Sequence, residues 1–309
     1  MRIAALLVVA SCASPAPPPA HPTTVGNAGL DDGGYAVRIV DPGRAPRRVL
    51  RYDLHLAQYL SIELLTRTTT NLEMIDPVAG KVVRNSDIPT IREIMGIEVK
   101  EKLPDGSVRL AWKLDATSVL DDVPLDPKVR ATLEATLATL VGMHGEARLS
   151  TRGVMSEATF AVPRDAPASV AQLMESMRDA LTKLYVPLPV DAVGLGATWE
   201  VASSFPMLGA KVGTTWRDHL TALDATSARW TTTIAMTARD QPITTQGMTG
   251  VLHAMTGRGH GEVDWSPHQM MPLGRVAMTT DGAFSLASGG QTIEATMRST
   301  VDLVSRPAR

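Results

Sequence analysis

The sequence predicts a mainly β (α+β) fold in which two amphipathic helices pack against antiparallel β structure, either one large curved sheet or two half-barrel lobes. Three observations predict it. Long stretches alternate apolar and polar residues, glycine-containing dipeptides that favour tight turns separate these stretches, and two other segments repeat apolar residues with helical period. Because 44% of the 309 residues are hydrophobic, the chain can bury a sizeable core.

The strands are predicted from period-two alternation, which places every second side chain on the same face of a sheet. The alternation is clearest over residues 292–303, and it recurs over residues 61–74 and 108–115. Long strands joined by tight turns predict antiparallel pairing. Four dipeptides are the predicted turns: Asp105-Gly106, Arg152-Gly153, Asp281-Gly282 and Gly289-Gly290.

Two helices are predicted to interrupt the strands. The first lies near residues 126–141, because Asp126-Pro127 provides a cap and a first turn and Gly142 ends the stretch. The second covers residues 167–185, where apolar side chains share one face. The apolar stripe of the first helix comprises Val129, Leu133, Leu137, Leu140 and Val141, and that of the second includes Met174, Met177 and Leu181.

A faint internal duplication favours the two-lobe alternative. The stretch "MHGEARLSTRGVM" at 143–155 matches "GHGEVDWSPHQMM" at 259–271, and a tryptophan-bearing strand precedes each. We therefore expect a first β lobe over residues 46–186, which contains both helices, and a second β lobe over residues 187–305. Trp112 and Trp230 are expected in matching places of the two lobes.

The N-terminal residues have the features of an export signal. A positive charge at Arg2 precedes a short apolar segment and then small residues before Cys12, the only cysteine. The stretch Val9-Ala10-Ser11-Cys12 resembles the lipobox of bacterial lipoproteins. The resemblance implies that residues 1–11 are a cleaved signal peptide and that Cys12 is the lipid attachment site, its thiol carrying acyl chains such as palmitate. The alternative is a plain signal peptide with an incidental cysteine.

Residues 12–34 are predicted to form a flexible proline-rich tether, because "SPAPPPAHPTT" at 14–24 favours extended backbone and has no core-forming side chains. A lipid anchor and a tether predict a bacterial cell-envelope protein whose partner is the membrane. Ala13 after the cysteine resembles outer-membrane-sorted lipoproteins, which implies attachment to the outer membrane, facing the periplasm or the exterior.

Two approximate motif matches support a resemblance that extends over most of the chain. The run from Pro189 to Gly194, with Trp199 a little later, resembles a Pro-x-x-x-Val-Gly-x-x-Trp element, and Gly257-Arg258-Gly259 resembles a late Gly-x-Gly strand. With these, residues 46–305 resemble an uncharacterised bacterial lipoprotein family. The layout is also distantly similar to LolA-like and mycobacterial lipid-carrier lipoproteins, which implies a curved antiparallel sheet with helices on its concave face. Neither resemblance assigns a functional residue.

Composition and motifs argue against several classes of function. A net charge of −2 and a pI near 6.4 are untypical of proteins that bind nucleic acid, and one cysteine excludes an intramolecular disulfide and a cysteine-based metal cluster. The sequence contains no Gly-x-Ser-x-Gly, no Ser-x-x-Lys and no phosphate-binding glycine loop. We therefore predict no catalytic residues, no enzyme activity and no cofactor.

The best candidate for metal ligation is His260-Gly261-Glu262-Val263-Asp264, with His268 nearby. On a strand, residues i, i+2 and i+4 share a face, and imidazole and carboxylate groups bind transition metals. A solvated polar face of a strand explains the same pattern. We favour the solvated face and predict no metal site.

Three functions remain as hypotheses. The favoured one is a non-catalytic, membrane-anchored envelope lipoprotein that binds or carries a lipid or other apolar ligand through Met174, Met177 and Leu181, although these side chains could instead fill the core. The second is an envelope structural or assembly module that binds protein partners. The third is a metal-dependent hydrolase.

Substitution of Cys12 tests the predicted lipid anchor. Because the thiol is the acyl acceptor, Cys12→Ser should abolish metabolic labelling of the protein with fatty acid and leave uncleaved precursor, as judged by autoradiography and intact mass. Labelling that persists unchanged in Cys12→Ser would rule out acylation at this residue.

Overall fold

The computed structural model describes residues 34–76, 80–161, 187–207, 210–245, 248–288 and 291–308. These residues form twelve strands and one helix. In chain order they are β1 (Tyr35–Asp41), β2 (Tyr59–Asp76), β3 (Gly80–Lys102), β4 (Val108–Val119), α1 (Pro127–Ala138), β5 (His144–Leu149), β6 (Met155–Ser156), β7 (Thr198–Met207), β8 (Ala210–Leu223), β9 (Ala228–Thr245), β10 (Met248–Trp265), β11 (Leu273–Ser288) and β12 (Gln291–Pro307).

All twelve strands belong to one sheet in the order β1-β7-β8-β9-β10-β11-β12-β2-β3-β4-β5-β6, and every neighbouring pair is antiparallel. β7 to β12 form a meander, which continues from β12 into β2 and then through β6. β1 joins the other edge by pairing with β7. The predicted mainly β fold with a large antiparallel sheet is confirmed, and strands from both sides of residue 187 share this one sheet.

The sheet is rolled around a single main core. Neighbouring strands lie about 4.8 Å apart, so twelve strands laid flat would extend over roughly 50 Å. One continuous cluster of buried side chains nevertheless includes Tyr35 of β1, Leu149 of β5 and Trp230 of β9. These residues can share a core only if the sheet curves around it. We call this cluster the main core and the face that carries it the inner face.

Glycines on β10 allow neighbouring strands to approach closely. Gly257, Gly259 and Gly261 alternate along the strand and so point to the inner face. A Cβ atom at Gly257 would lie 2.5 Å from Cγ2 of Thr280, and one at Gly261 would lie 2.6 Å from the carbonyl oxygen of Arg275. Any larger residue would push β10 away from β11, because real Cβ atoms do not make such short contacts.

One end of the rolled sheet is closed by residues 48–54, which we call the closing segment. It forms an isolated bridge between Arg48 and Val193, and the Tyr52 and Asp53 amides donate hydrogen bonds of 2.8 Å to the carbonyls of Thr151 and Pro267. The segment thus contacts the residues that precede β7, the turn after β5 and the loop after β10. Its inward side chains lie in the main core: Leu50, Tyr52 and Leu54 are 1%, 5% and 2% exposed.

The predicted helix near 126–141 is confirmed as α1. The Asp126 side chain caps it by accepting hydrogen bonds from the amides of Lys128 and Val129. Leu133 and Leu137 are buried and pack against Ile91 of β3 and Val119 of β4. The buried stripe is narrower than predicted, because Val129 and Val141 are exposed. The helix predicted over 167–185 lies outside the described residues.

Of the four predicted turns, two are confirmed, one is wrong and one lies outside the described residues. Asp105-Gly106 and Arg152-Gly153 are turns, with both glycines at positive φ near 80°. The turn predicted at Asp281-Gly282 is wrong, because the dipeptide lies inside β11. Both neighbouring strands continue past it, and Gly282 sits between Met255 and Met297 on the inner face, where a small residue leaves space for long side chains. Gly289-Gly290 lies outside the described residues.

The closing segment provides a direct test of the core. Leu50→Ala should lower the free energy of unfolding by about 2 to 5 kcal/mol, because it leaves a cavity at a fully buried position. Leu56→Ala is the matched control, since Leu56 belongs to the same coil but is 64% exposed, and its effect should stay within about 0.5 kcal/mol. Urea denaturation followed by tryptophan fluorescence measures both. Equal effects of the two substitutions would contradict the closure of the core by this segment.

Candidate functional site

The inner face divides into two apolar regions along the strands. The main core occupies one end, where the closing segment covers it. A second cluster, which we call the distal cluster, lies further along β7 to β12. Its buried members are Ala210, Val212, Ile234, Met236, Ala238, Ile243, Leu252 and Met255. The seven half-buried apolar side chains beside them are Phe205, Trp216, Val276, Met278, Phe284, Leu286 and Met297, of which Trp216 also packs against the main core.

The site residues predicted from sequence lie outside the described residues. This applies to Cys12, the predicted lipid attachment site, and to Met174, Met177 and Leu181, the predicted ligand-binding residues. Within the described residues, the distal cluster has the apolar chemistry that was predicted for the ligand-binding surface. Its half-buried members are aliphatic, aromatic or thioether side chains on the inner face. Sequence reasoning assigned the ligand contact to one helix and did not single out these strand residues.

Both regions combine fully buried with half-buried side chains. Main-core residues such as Ile62, Val201 and Leu220 are 0% exposed. The half-buried side chains of the distal cluster keep part of their surface accessible, although they are equally apolar. Apolar side chains on an inner face are normally covered, since each CH₂ removed from water contributes about 0.8 kcal/mol. The distal cluster therefore retains surface that an apolar molecule can bury.

A buried carboxyl group lies on the inner face of β8. Alternate residues of this strand point inwards, so Asp218 shares a face with Trp216 and Leu220, and it is only 1% exposed. Cross-strand register places it between Trp199 of β7 and Thr232 of β9. The Thr232 hydroxyl and the Trp199 indole N–H partly offset the cost of its burial, but neither makes a hydrogen bond of good geometry to it.

Burial raises the pKa of Asp218 to about 7, so the group changes charge near neutral pH. A buried titratable group with so large a shift is typical of functional sites and of pH-sensitive cores. Sequence reasoning missed it because aspartate is usually solvated. The alternation of residues 216, 218 and 220 on β8 was the signal that could have revealed its inward position.

The predicted metal candidate on β10 is a solvated strand face. His260, Glu262 and Asp264 are exposed on the outer face, and the Asp264 carboxylate accepts a hydrogen bond of 2.6 Å from Nε of Arg229 on β9. His268 has a different set of neighbours, because it lies in the loop after β10 with its Nδ1 2.8 Å from the carbonyl oxygen of Asp53. The structure therefore does not bring His268 to the strand face with which the sequence associated it.

A surface groove of about 570 Å³ lies on the β3–β4–β5 side of the sheet. Trp112 and Phe160 contribute aromatic rings whose centroids are 5.1 Å apart. The charged side chains that line the groove include internally paired ones, among them Lys113 with Asp115 at 2.8 Å. The groove is open to solvent and combines these charged pairs with an aromatic surface, whereas the half-buried side chains of the distal cluster are all apolar.

Trp112 and Trp230, which were predicted in matching places of two lobes, occupy related but not identical positions in the sheet. Trp112 on β4 and Trp230 on β9 each lie on the strand that pairs with a His-Gly-Glu strand, β5 and β10 respectively. Their registers differ, because Trp112 is opposite Gly145 whereas Trp230 is opposite Val263. Trp230 is buried in the main core and Trp112 is half-buried beside it.

No protein-family model matches this chain, and no curated protein matches it either. Among the residues that the structure describes, no helix has both the length and the apolar composition needed to cross a bilayer.

The raised pKa of Asp218 predicts a pH-dependent stability. The folded protein keeps the Asp218 proton while the unfolded chain releases it above its ordinary pKa of 3.8, so this contribution is complete below pH 3.8 and is lost as the pH rises through about 7. Between pH 5 and pH 8 the loss should be roughly 2 to 3 kcal/mol. Asp218→Asn, which cannot ionise, should remove this part of the pH dependence in urea titrations.

The matched control for this measurement is Asp121→Asn, because the Asp121 side chain is 92% exposed and its ion-pair partner is an arginine, Arg130. It should retain the pH dependence of the wild type. If Asp218→Asn and the wild type lose the same stability between pH 5 and pH 8, Asp218 does not titrate as described.

Proposed function

We propose that this protein is a non-catalytic, lipid-anchored lipoprotein of the bacterial cell envelope that binds a lipid chain or a similar apolar ligand on the inner face of its sheet. The observation that carries the proposal is the group of half-buried apolar side chains in the distal cluster, away from the end of the inner face that the closing segment covers. This group includes Met278, Phe284 and Met297.

The chemistry of the distal cluster suits a flexible hydrocarbon ligand. Methionine side chains adapt to irregular apolar surfaces, and Met278 and Met297 lie on the adjacent strands β11 and β12. Phe205 and Phe284 add aromatic surface from β7 and β11. At about 0.8 kcal/mol for each buried CH₂, partial burial of one acyl chain would support binding in the micromolar range.

In this proposal Met174, Met177 and Leu181, on the apolar face of the helix predicted over 167–185, also contact the ligand. The acylated Cys12 and the proline-rich tether would hold the body within reach of a bilayer, which is the source and the destination of such ligands.

Ligand binding can be tested on unlipidated protein purified without detergent. Mass spectrometry of organic extracts should find co-purified lipid, and titration with a fluorescent fatty acid should saturate at micromolar concentration. Met297→Asp should weaken uptake by at least about tenfold, because it places a charge on the binding surface. Met177→Asp should have the same effect through the predicted helix.

The neighbouring residue provides the matched control for Met297→Asp. Thr296 is adjacent on β12 but points to the outer face and is exposed, so Thr296→Asp adds the same charge away from the proposed site. It should bind the fatty acid like the wild type. If wild-type protein neither carries lipid nor takes up the probe, the proposal is wrong, and an assembly module that binds protein partners becomes the better account.

A further inference from the structure

We propose that Asp53, His55 and His268 form a binding site for a divalent transition-metal ion of the zinc type. Each residue offers one ligand atom, and these three atoms lie within 4.8 Å of one another at the surface. Two imidazoles and one carboxylate are a donor set that zinc accepts, with the remaining position available to water. The site is separate from the proposed lipid surface.

Hydrogen bonds fix the segment that carries Asp53 and His55 to the loop that carries His268. The Asp53 amide donates a hydrogen bond of 2.8 Å to the carbonyl of Pro267, and the Gln58 side-chain amide donates one to the carbonyl of His268. Residues 51–55 are extended, with Tyr52 and Leu54 buried and Asp53 and His55 exposed. Burial of alternate side chains therefore holds the two outward ligands in place.

The hydrogen bonding of His268 favours metal ligation through its other nitrogen. Its Nδ1 lies 2.8 Å from the backbone carbonyl oxygen of Asp53. A carbonyl can only accept, so Nδ1 carries the proton and the lone pair of Nε2 is left available. Metal-binding histidines characteristically donate their second N–H to a carbonyl or carboxylate in this way, which fixes both the tautomer and the ring orientation.

The two imidazole rings are already side by side. The His55 and His268 ring centroids are 5.3 Å apart, and the ring planes differ by 25°. Stacked imidazoles gain little from each other at an exposed position, whereas a shared cation requires them to lie close together. This juxtaposition joins residues far apart in the sequence, one before β2 and the other after β10.

Lys102 is the competing cation at this site. Its Nζ lies 3.0 Å from the Asp53 carboxylate, so it occupies the position beside the carboxylate that a metal ion would take. The Lys102 side chain is 43% exposed, so it can move into solvent when a metal ion takes its place. Removal of this lysine should strengthen metal binding.

Zinc titration of the full chain tests the site, in a Cys12→Ser background that removes the competing thiol. Isothermal titration calorimetry with ZnSO₄ should show one ion bound per chain. His55→Ala and His268→Ala should each weaken binding by more than about tenfold. Lys102→Met should strengthen it, a response that a purely structural role for the histidines would not produce.

His260→Ala is the matched control, because His260 is exposed beside Glu262 and Asp264 on β10 and should leave zinc affinity unchanged. Far-UV circular dichroism without zinc checks the fold of each variant. A second readout is the rise in melting temperature with zinc, which His55→Ala should abolish. The proposal is overturned if zinc does not bind, or if the His55 and His268 variants bind it as tightly as the wild type. It is also overturned if Lys102→Met does not raise the affinity.

Discussion

The closing segment is the constraint on which the rest of the fold depends. Twist makes a sheet of twelve strands curl, but curling alone neither joins its two edge strands, β1 and β6, nor covers the end of its core. Residues 48–54 connect distant parts of it, since their backbone bonds to Val193, Thr151 and Pro267. Arginine side chains extend these links: Arg48 donates to the carbonyls of Ala225 and Ser227, and Arg51 to those of Leu50, Pro189 and Val190.

The closing segment covers one of the two apolar regions of the inner face. Its side chains Leu50, Tyr52 and Leu54 belong to the main core and are 1%, 5% and 2% exposed. Further along the same strands, the distal cluster keeps half-buried apolar side chains. The fold thus combines an end covered by the closing segment with a second apolar region at a distance from it.

The strands could be predicted because apolar and polar residues largely alternate along them: residues 292–303 and 61–74 lie in β12 and β2. Predictions from the local sequence pattern were wrong where contacts between distant residues decide the structure. Asp281-Gly282 reads as a turn, but the flanking strands carry β11 straight through it. The position of Asp218 could have been found from alternation on β8. The contact between His268 and Asp53 could not, because it joins residues 215 positions apart through a loop and a coil.

Amide hydrogen exchange tests the role of the closing segment most directly. If closure holds the rolled sheet together, the Arg48, Tyr52 and Asp53 amides, which donate to the carbonyls of Val193, Thr151 and Pro267, should exchange only through global unfolding. Their opening free energies would then equal those of main-core amides such as Val201. Exchange of these three amides by local opening, with free energies well below the global value, would contradict the account.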